Sequence, residues 1–119
     1  MEIHEVSKKI ESKLGELTQL SSQLIHKAQD KAQCIADYDK ALAKTIIALR
    51  NGDSFDIEAY KIQCPPTTII EKVAKGIIWK KKLDMDMAES QYKILGTQIE
   101  IVKAQLNGLQ TINRHLSHI

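Results

Sequence analysis

One tryptophan set among lysines comes closest, in this sequence, to a chemical function: Lys75, Trp79, Lys80, Lys81 and Lys82. On a helix, Lys75, Trp79 and Lys82 stand at i, i+4 and i+7 and share a face. An indole stacks on a nucleobase while ammonium groups neutralise phosphates, so the segment is a candidate contact for nucleic acid or for a partner protein. The plainer reading packs Trp79 at a helix interface and leaves the lysines as a solvated face. That reading is preferred, because no other aromatic extends the platform and Asp84 and Asp86 follow directly.

The remaining chemistry-bearing residues are sparse. In an antiparallel hairpin the two ends of the chain meet, which brings His4 towards His115 and His118. His115 and His118 stand at i, i+3, a spacing from which both reach one metal, with Glu2 or Glu5 to complete the set. Exposed terminal histidines are the preferred reading, and no metal site is assigned. Asp37, Asp39, Asp84 and Asp86 fall near mid-length in such a hairpin; with no histidine beside them they are read as solvated surface. Cys34 and Cys64 lack the paired spacing of a zinc or redox motif and read as free thiols. There is no glycine-rich phosphate loop, nucleophile elbow or His-Glu metal motif. No catalytic residue and no cofactor is therefore expected, and the chain is read as non-enzymatic.

The elements that must position these residues follow from proline and from apolar spacing. Both prolines of the chain are adjacent, Pro65-Pro66, with helical pattern on each side. Proline ends or kinks a helix, so this pair enforces one corner. Before it, Ile3, Val6, Ile10, Leu14, Leu17, Leu20, Leu24, Ala28, Ile35, Tyr38, Leu42, Ile46 and Leu49 recur at helical spacing, weakening near Lys27 to Lys31. The first helix is predicted over about residues 2–49, ending at Arg50-Asn51-Gly52-Asp53. Residues 50–66 form a linker in which Ser54 to Gln63 make a short helix or a loop. Phe55 and Tyr60 sit there, near the hairpin tip, as a second candidate partner contact; the alternative is that both cap the core.

The second helix is predicted over about residues 68–117, opened by Thr68 as N-cap with Glu71 completing a capping box. Its seam runs through Ile70, Val73, Ile77, Leu83, Met87, Ile94, Ile101, Leu106, Leu109, Ile112 and Leu116. Gly76, Gly96 and Gly108 interrupt it, which suggests close helix–helix approach.

The chain is thus expected to be a single all-α domain over residues 1–119, a long antiparallel helical hairpin of coiled-coil type. Two such helices bury one narrow seam each, so association into a homodimer with four helices around a shared core is expected. Aromatics make up 4% of residues, which leaves the core to Leu, Ile, Val and Ala and fits helix packing better than a sheet. The net charge of +2 arises from 17 basic and 15 acidic residues, and bulk charge points to neither nucleic acid nor membrane. No run approaches the roughly 18–20 apolar residues of a membrane span. The polar, mixed-charge start and the lack of paired cysteines lead to an expectation of cytoplasm.

The second half carries Pro66-Thr67-Thr68-Ile69-Ile70, Ala74-Lys75-Gly76, the stretch Ala88 to Tyr92, and Gln105-Leu106-Asn107-Gly108-Leu109-Gln110-Thr111-Ile112. Over about residues 65–119 it resembles a group of small helical-hairpin proteins of temperate phages and prophages of Gram-positive bacteria. Trp79-Lys80-Lys81-Lys82 lies outside that pattern. The resemblance implies a phage-type origin and a helical hairpin, and supplies no catalytic residues. The expected function is a protein–protein interaction module, an adaptor or inhibitor of a host or phage process. The alternative is a nucleic-acid-binding accessory protein for phage replication or recombination.

Overall fold

The computed structural model describes residues 2–118. It is all-α apart from one small β-ribbon. Helix α1 spans Ile3–Arg50, strands β1 and β2 span Phe55–Ile57 and Tyr60–Ile62, a 3₁₀ turn covers Thr67–Ile69, and helices α2 and α3 span Ile70–Ile77 and Trp79–Ser117. Packing divides the chain into two compact units. One joins the N-terminal stretch up to Ala28 with the stretch from Ser90 onward; the other is Gln29–Glu89.

Helix α1 holds no proline and one glycine, and Glu5 in its first turn with Arg50 in its last complements the helix dipole. It ends as its sequence predicts. Asn51 N donates to Ile47 O, Gly52 N to Leu49 O and Asp53 N to Ala48 O, and Gly52 sits at φ 87°. The last two bonds are the 5→2 and 6→1 bonds of a Schellman motif, whose left-handed residue favours glycine. The side chain of Gln63 then donates to Gly52 O at 3.0 Å, which ties the far side of the ribbon to the helix end.

In the first unit, α1 and α3 run antiparallel. Lys27 Nζ reaches Gln91 Oε1 at 3.2 Å at one end, while Lys9 shares a hollow with Ile112 towards the other. Apart from the half-buried Ser7 and Gly96, the buried and half-buried positions alternate at three and four: Val6, Ile10, Lys13, Leu17, Leu20, Leu24 and Lys27 in α1, and Tyr92, Leu95, Ile99, Val102, Leu106, Leu109, Asn113 and Leu116 in α3. That is the two-per-heptad spacing of a coiled coil. The seam thus differs from expectation. Ile3, Leu14 and Ile35 are exposed in α1, and Leu83, Met87, Ile94, Ile101 and Ile112 are exposed in α3. Lys13 and Lys27 hold seam positions because their aliphatic stems cover apolar neighbours while the ammonium reaches the edge.

In the second unit, Leu49, Ile70 and Ala74 form a buried cluster enclosed by Leu42, Ile46, Phe55, Ile62, Val73 and Ile77. Residues 55–62 are a β-ribbon, not a short helix. Phe55 pairs with Ile62, Asp56 with Lys61 and Ile57 with Tyr60. Paired residues share a face, so the four apolar side chains lie on one side and the Asp56–Lys61 charge pair on the other. Strict alternation in β-favouring residues on each arm prevails over the helical alternative. Ile57 packs on α2 at Gly76, where a β-carbon would lie 3.7 Å from Ile57 Cδ1. Gly76 therefore admits the ribbon, not another helix. Beyond their chain neighbours and the backbone of α3 itself, nothing lies within 4 Å of a β-carbon built at Gly96 or Gly108, so these two do not mark close approach of another helix.

The start of the second helical stretch also differs. Ile69 N donates to Pro66 O, which places Thr68 inside a 3₁₀ turn, and no side chain caps either this turn or α2. A residue already in helical geometry is not an N-cap, so Glu71 pairs with Lys75 at 3.3 Å instead of closing a capping box. Ile78, at φ −99° and ψ 27°, then separates α2 from α3. Among the described residues no helix is long and apolar enough to cross a membrane.

Candidate interaction surface

The break at Ile78 decides the fate of the lysine–tryptophan segment. Lys75 belongs to α2, whereas Trp79, Lys80, Lys81 and Lys82 open α3. The single face expected for Lys75, Trp79 and Lys82 is therefore interrupted between its first two members. Two of its lysines have acidic partners. Lys75 pairs with Glu71, and Lys82 Nζ lies 3.1 Å from Asp86 Oδ1 while also standing 5.9 Å from the Tyr38 ring centroid. Such exposed pairs add little stability, but each sets a carboxylate beside an ammonium that a phosphate would need. Lys80 Nζ stands 5.6 Å from the centroid of Trp79.

Trp79 is 53% exposed and faces the ribbon. Together with Asp56, Ile57, Glu58 and Ile77 it lines a hollow of about 380 Å³. The floor is apolar, supplied by two isoleucines, and two carboxylate residues stand at it. Across the ribbon from Ile57 lies Tyr60, 74% exposed. The second unit thus presents two exposed aromatic residues next to Ile57, Tyr60 as its strand partner and Trp79 across the shared hollow. Glu58 holds a left-handed φ of 53° in the two-residue turn between the strands, a conformation that side-chain-bearing residues seldom adopt. The same is true of Cys64, at φ 49° just before Pro65.

The two tip aromatics proposed from the sequence have separate roles. Phe55 packs on the Leu49 cluster, whereas Tyr60 is left to solvent. Asp56 and Glu58 were not singled out by sequence reasoning, and Ile57 and Ile77 are read there only as apolar contacts. The alternating pattern of Phe55-Asp56-Ile57 and Tyr60-Lys61-Ile62 was the signal that points to them.

Elsewhere the chemistry is thin. Cys34 is half-buried, Cys64 is exposed, and both are free thiols. His4, His115 and His118 are exposed, and no three His, Cys, Asp or Glu among the described residues are grouped so as to hold a metal ion. No buried side-chain nitrogen or oxygen among the described residues lacks a hydrogen-bond partner. Comparison of the chain with protein-family models, with curated proteins and with solved structures finds no match.

Proposed function

We propose that this chain is a non-enzymatic module that binds another protein through the tip of its second unit, acting as an adaptor or inhibitor of a host or phage process in the bacterial cytoplasm. The observation that carries the reading is the exposed Trp79 lining a hollow with Ile57, Ile77, Asp56 and Glu58, and the exposed Tyr60 paired with Ile57 across the ribbon. Exposed aromatic residues around a small apolar depression are the usual anchors of protein interfaces, and charged neighbours select the partner. Two carboxylate residues favour a basic segment of that partner. The phage-type origin rests on the resemblance over residues 65–119.

The test is affinity capture from a lysate of a Gram-positive host, comparing the natural chain with a Tyr60→Ala, Trp79→Ala double variant of equal helicity. The expected result is a protein retained by the first and lost from the second, released as salt screens Asp56 and Glu58. Equal capture by both chains removes the tip as the contact surface. Retention of labelled DNA or RNA at low salt, lost on Trp79→Ala with Lys80→Glu and Lys81→Glu, replaces the protein-binding reading with the nucleic-acid one.

A further inference from the structure

The first unit leaves a second apolar stripe of α3 uncovered. Ile94, Ile101 and Gly108 recur at seven-residue spacing, and Ile94 and Ile101 are 59% and 53% exposed. Positions that repeat every seven residues stay on one face of a helix. The face is also uncharged. Between Ser90 and Ile112 the only charged residues are Lys93, Glu100 and Lys103, all off this stripe, and Lys103 pairs with Glu100 at 3.4 Å. A chain that is 27% charged would place about twice as many in that length. Flanking the stripe, Thr97 and Thr111 donate their hydroxyls to Lys93 O and Asn107 O, so neither hydroxyl needs an outside partner.

The stripe is complementary to itself. About a two-fold axis through Ile101, a second α3 running antiparallel sets Ile94 opposite the partner's Gly108, a large side chain against a gap. At Gly108 the protomer has a shallow apolar hollow of about 520 Å³, bounded by Gln105, Leu109 and Ile112 of α3 and by Lys9, Ser12 and Lys13 of α1. Beyond its chain neighbours and the backbone of its own helix, no heavy atom lies within 4 Å of where a Gly108 β-carbon would stand. A branched side chain arriving from outside fills that space.

We propose that the uncharged face of α3 is the interface of a two-fold dimer, with the α3 helices antiparallel, Ile101 meeting its counterpart on the axis and each Ile94 seated over the partner's Gly108. The occupant is a second copy because α3 supplies both the knob, Ile94, and the hole at Gly108, while Lys9 and Lys13 of α1 stand at the rim of that hole. Isologous contact of this kind is the commonest closed assembly. The strip is roughly 35 Å long at 1.5 Å per residue, so it lies below the area of a large obligate interface and gives a dimer that dissociates on dilution.

The test uses the full chain in sedimentation equilibrium over a range of concentrations. The expected result is a monomer–dimer equilibrium, weakened about a hundredfold or more by Ile101→Lys, which sets two cations face to face on the axis. Ile101 is half exposed in the protomer, so helicity should be unchanged. As a second readout, Cys34→Ser and Cys64→Ser are combined with Ile101→Cys, which should oxidise to a disulfide-linked dimer, whereas Glu100→Cys in the same background should not. A chain that stays monomeric at high micromolar concentration overturns the proposal. So does a dimer indifferent to Ile101→Lys, or one that cross-links equally well at both positions.

Discussion

Two glycine-to-alanine substitutions in the second unit should move stability in opposite directions, and the structure sets both signs. Gly52 is held at φ 87°, and a β-carbon there would meet only Cys64 Sγ at 3.9 Å, an ordinary contact. The cost of Gly52→Ala is therefore conformational. The left-handed region costs an L-residue roughly 1–2 kcal/mol, offset in part by the lower entropy of alanine in the unfolded chain, about 0.4–1 kcal/mol. A net loss of about 1 kcal/mol follows. Gly76 lies inside α2, where glycine is about 0.5–1 kcal/mol worse than alanine. Its β-carbon would lie 3.7 Å from Ile57 Cδ1, close enough to add apolar contact and far enough to avoid a clash. Gly76→Ala should gain up to about 1 kcal/mol. The two variants thus differ by about 2 kcal/mol. With a urea slope of about 2 kcal/mol per molar, their midpoints should stand about 1 M apart, on either side of the natural chain. The assay is urea unfolding followed by far-ultraviolet circular dichroism, with all three proteins at one concentration so that association shifts them alike. A Gly52→Ala variant as stable as the natural chain would refute the role of the left-handed cap. A Gly76→Ala variant that loses stability would refute the packing of the ribbon against α2.

Leu49 is 1% exposed at the centre of the second unit's cluster, so Leu49→Ala should cost about 3 kcal/mol, near the low end of cavity-forming substitutions; loss of less than about 1 kcal/mol in the same denaturation assay would mean that the cluster is not packed as described. Lys27 holds a half-buried seam position and reaches only the exposed Gln91, so Lys27→Leu should add about 1 kcal/mol by burying apolar surface without loss of helix propensity, and a lower thermal midpoint would contradict the seam assignment.

The helices, the helix end at Arg50-Asn51-Gly52-Asp53 and the corner at Pro65-Pro66 were legible because each rests on local chemistry: a dihedral only glycine favours, a missing amide hydrogen, a recurring apolar spacing. The phase of the seam was not legible. Helix α3 carries two apolar stripes, one through Leu95, Ile99, Val102 and Leu106 and one through Ile94, Ile101 and Ile112, and spacing alone cannot tell which of them faces α1. Polar Lys13 and Lys27 at true seam positions added to the ambiguity. The ribbon was hidden because four apolar residues in eight fit either a short amphipathic helix or two alternating arms. Its pairing depends on Ile57 finding Gly76, a contact between residues far apart in sequence. The break at Ile78 has no proline or glycine at the position itself, and the Trp79 hollow exists only because that break and the ribbon meet.

That break also governs how quickly the backbone opens. A helix that begins at Trp79 places Lys80, Lys81 and Lys82 in its first turn, and no acidic residue is there to oppose them. Positive side chains at the positive end of the dipole repel it, by roughly 0.3–1 kcal/mol each at an exposed site. Across the interruption Lys81 N and Lys82 N donate to Ile78 O, whereas Trp79 N and Lys80 N have no such bond to α2, so an open helix start lies well inside the sequence. Deuterium should therefore enter the amides of Trp79 and Lys80 far sooner than those near Leu95 or Val102, giving the lone tryptophan a local clock of its own while the seam of the first unit stays closed.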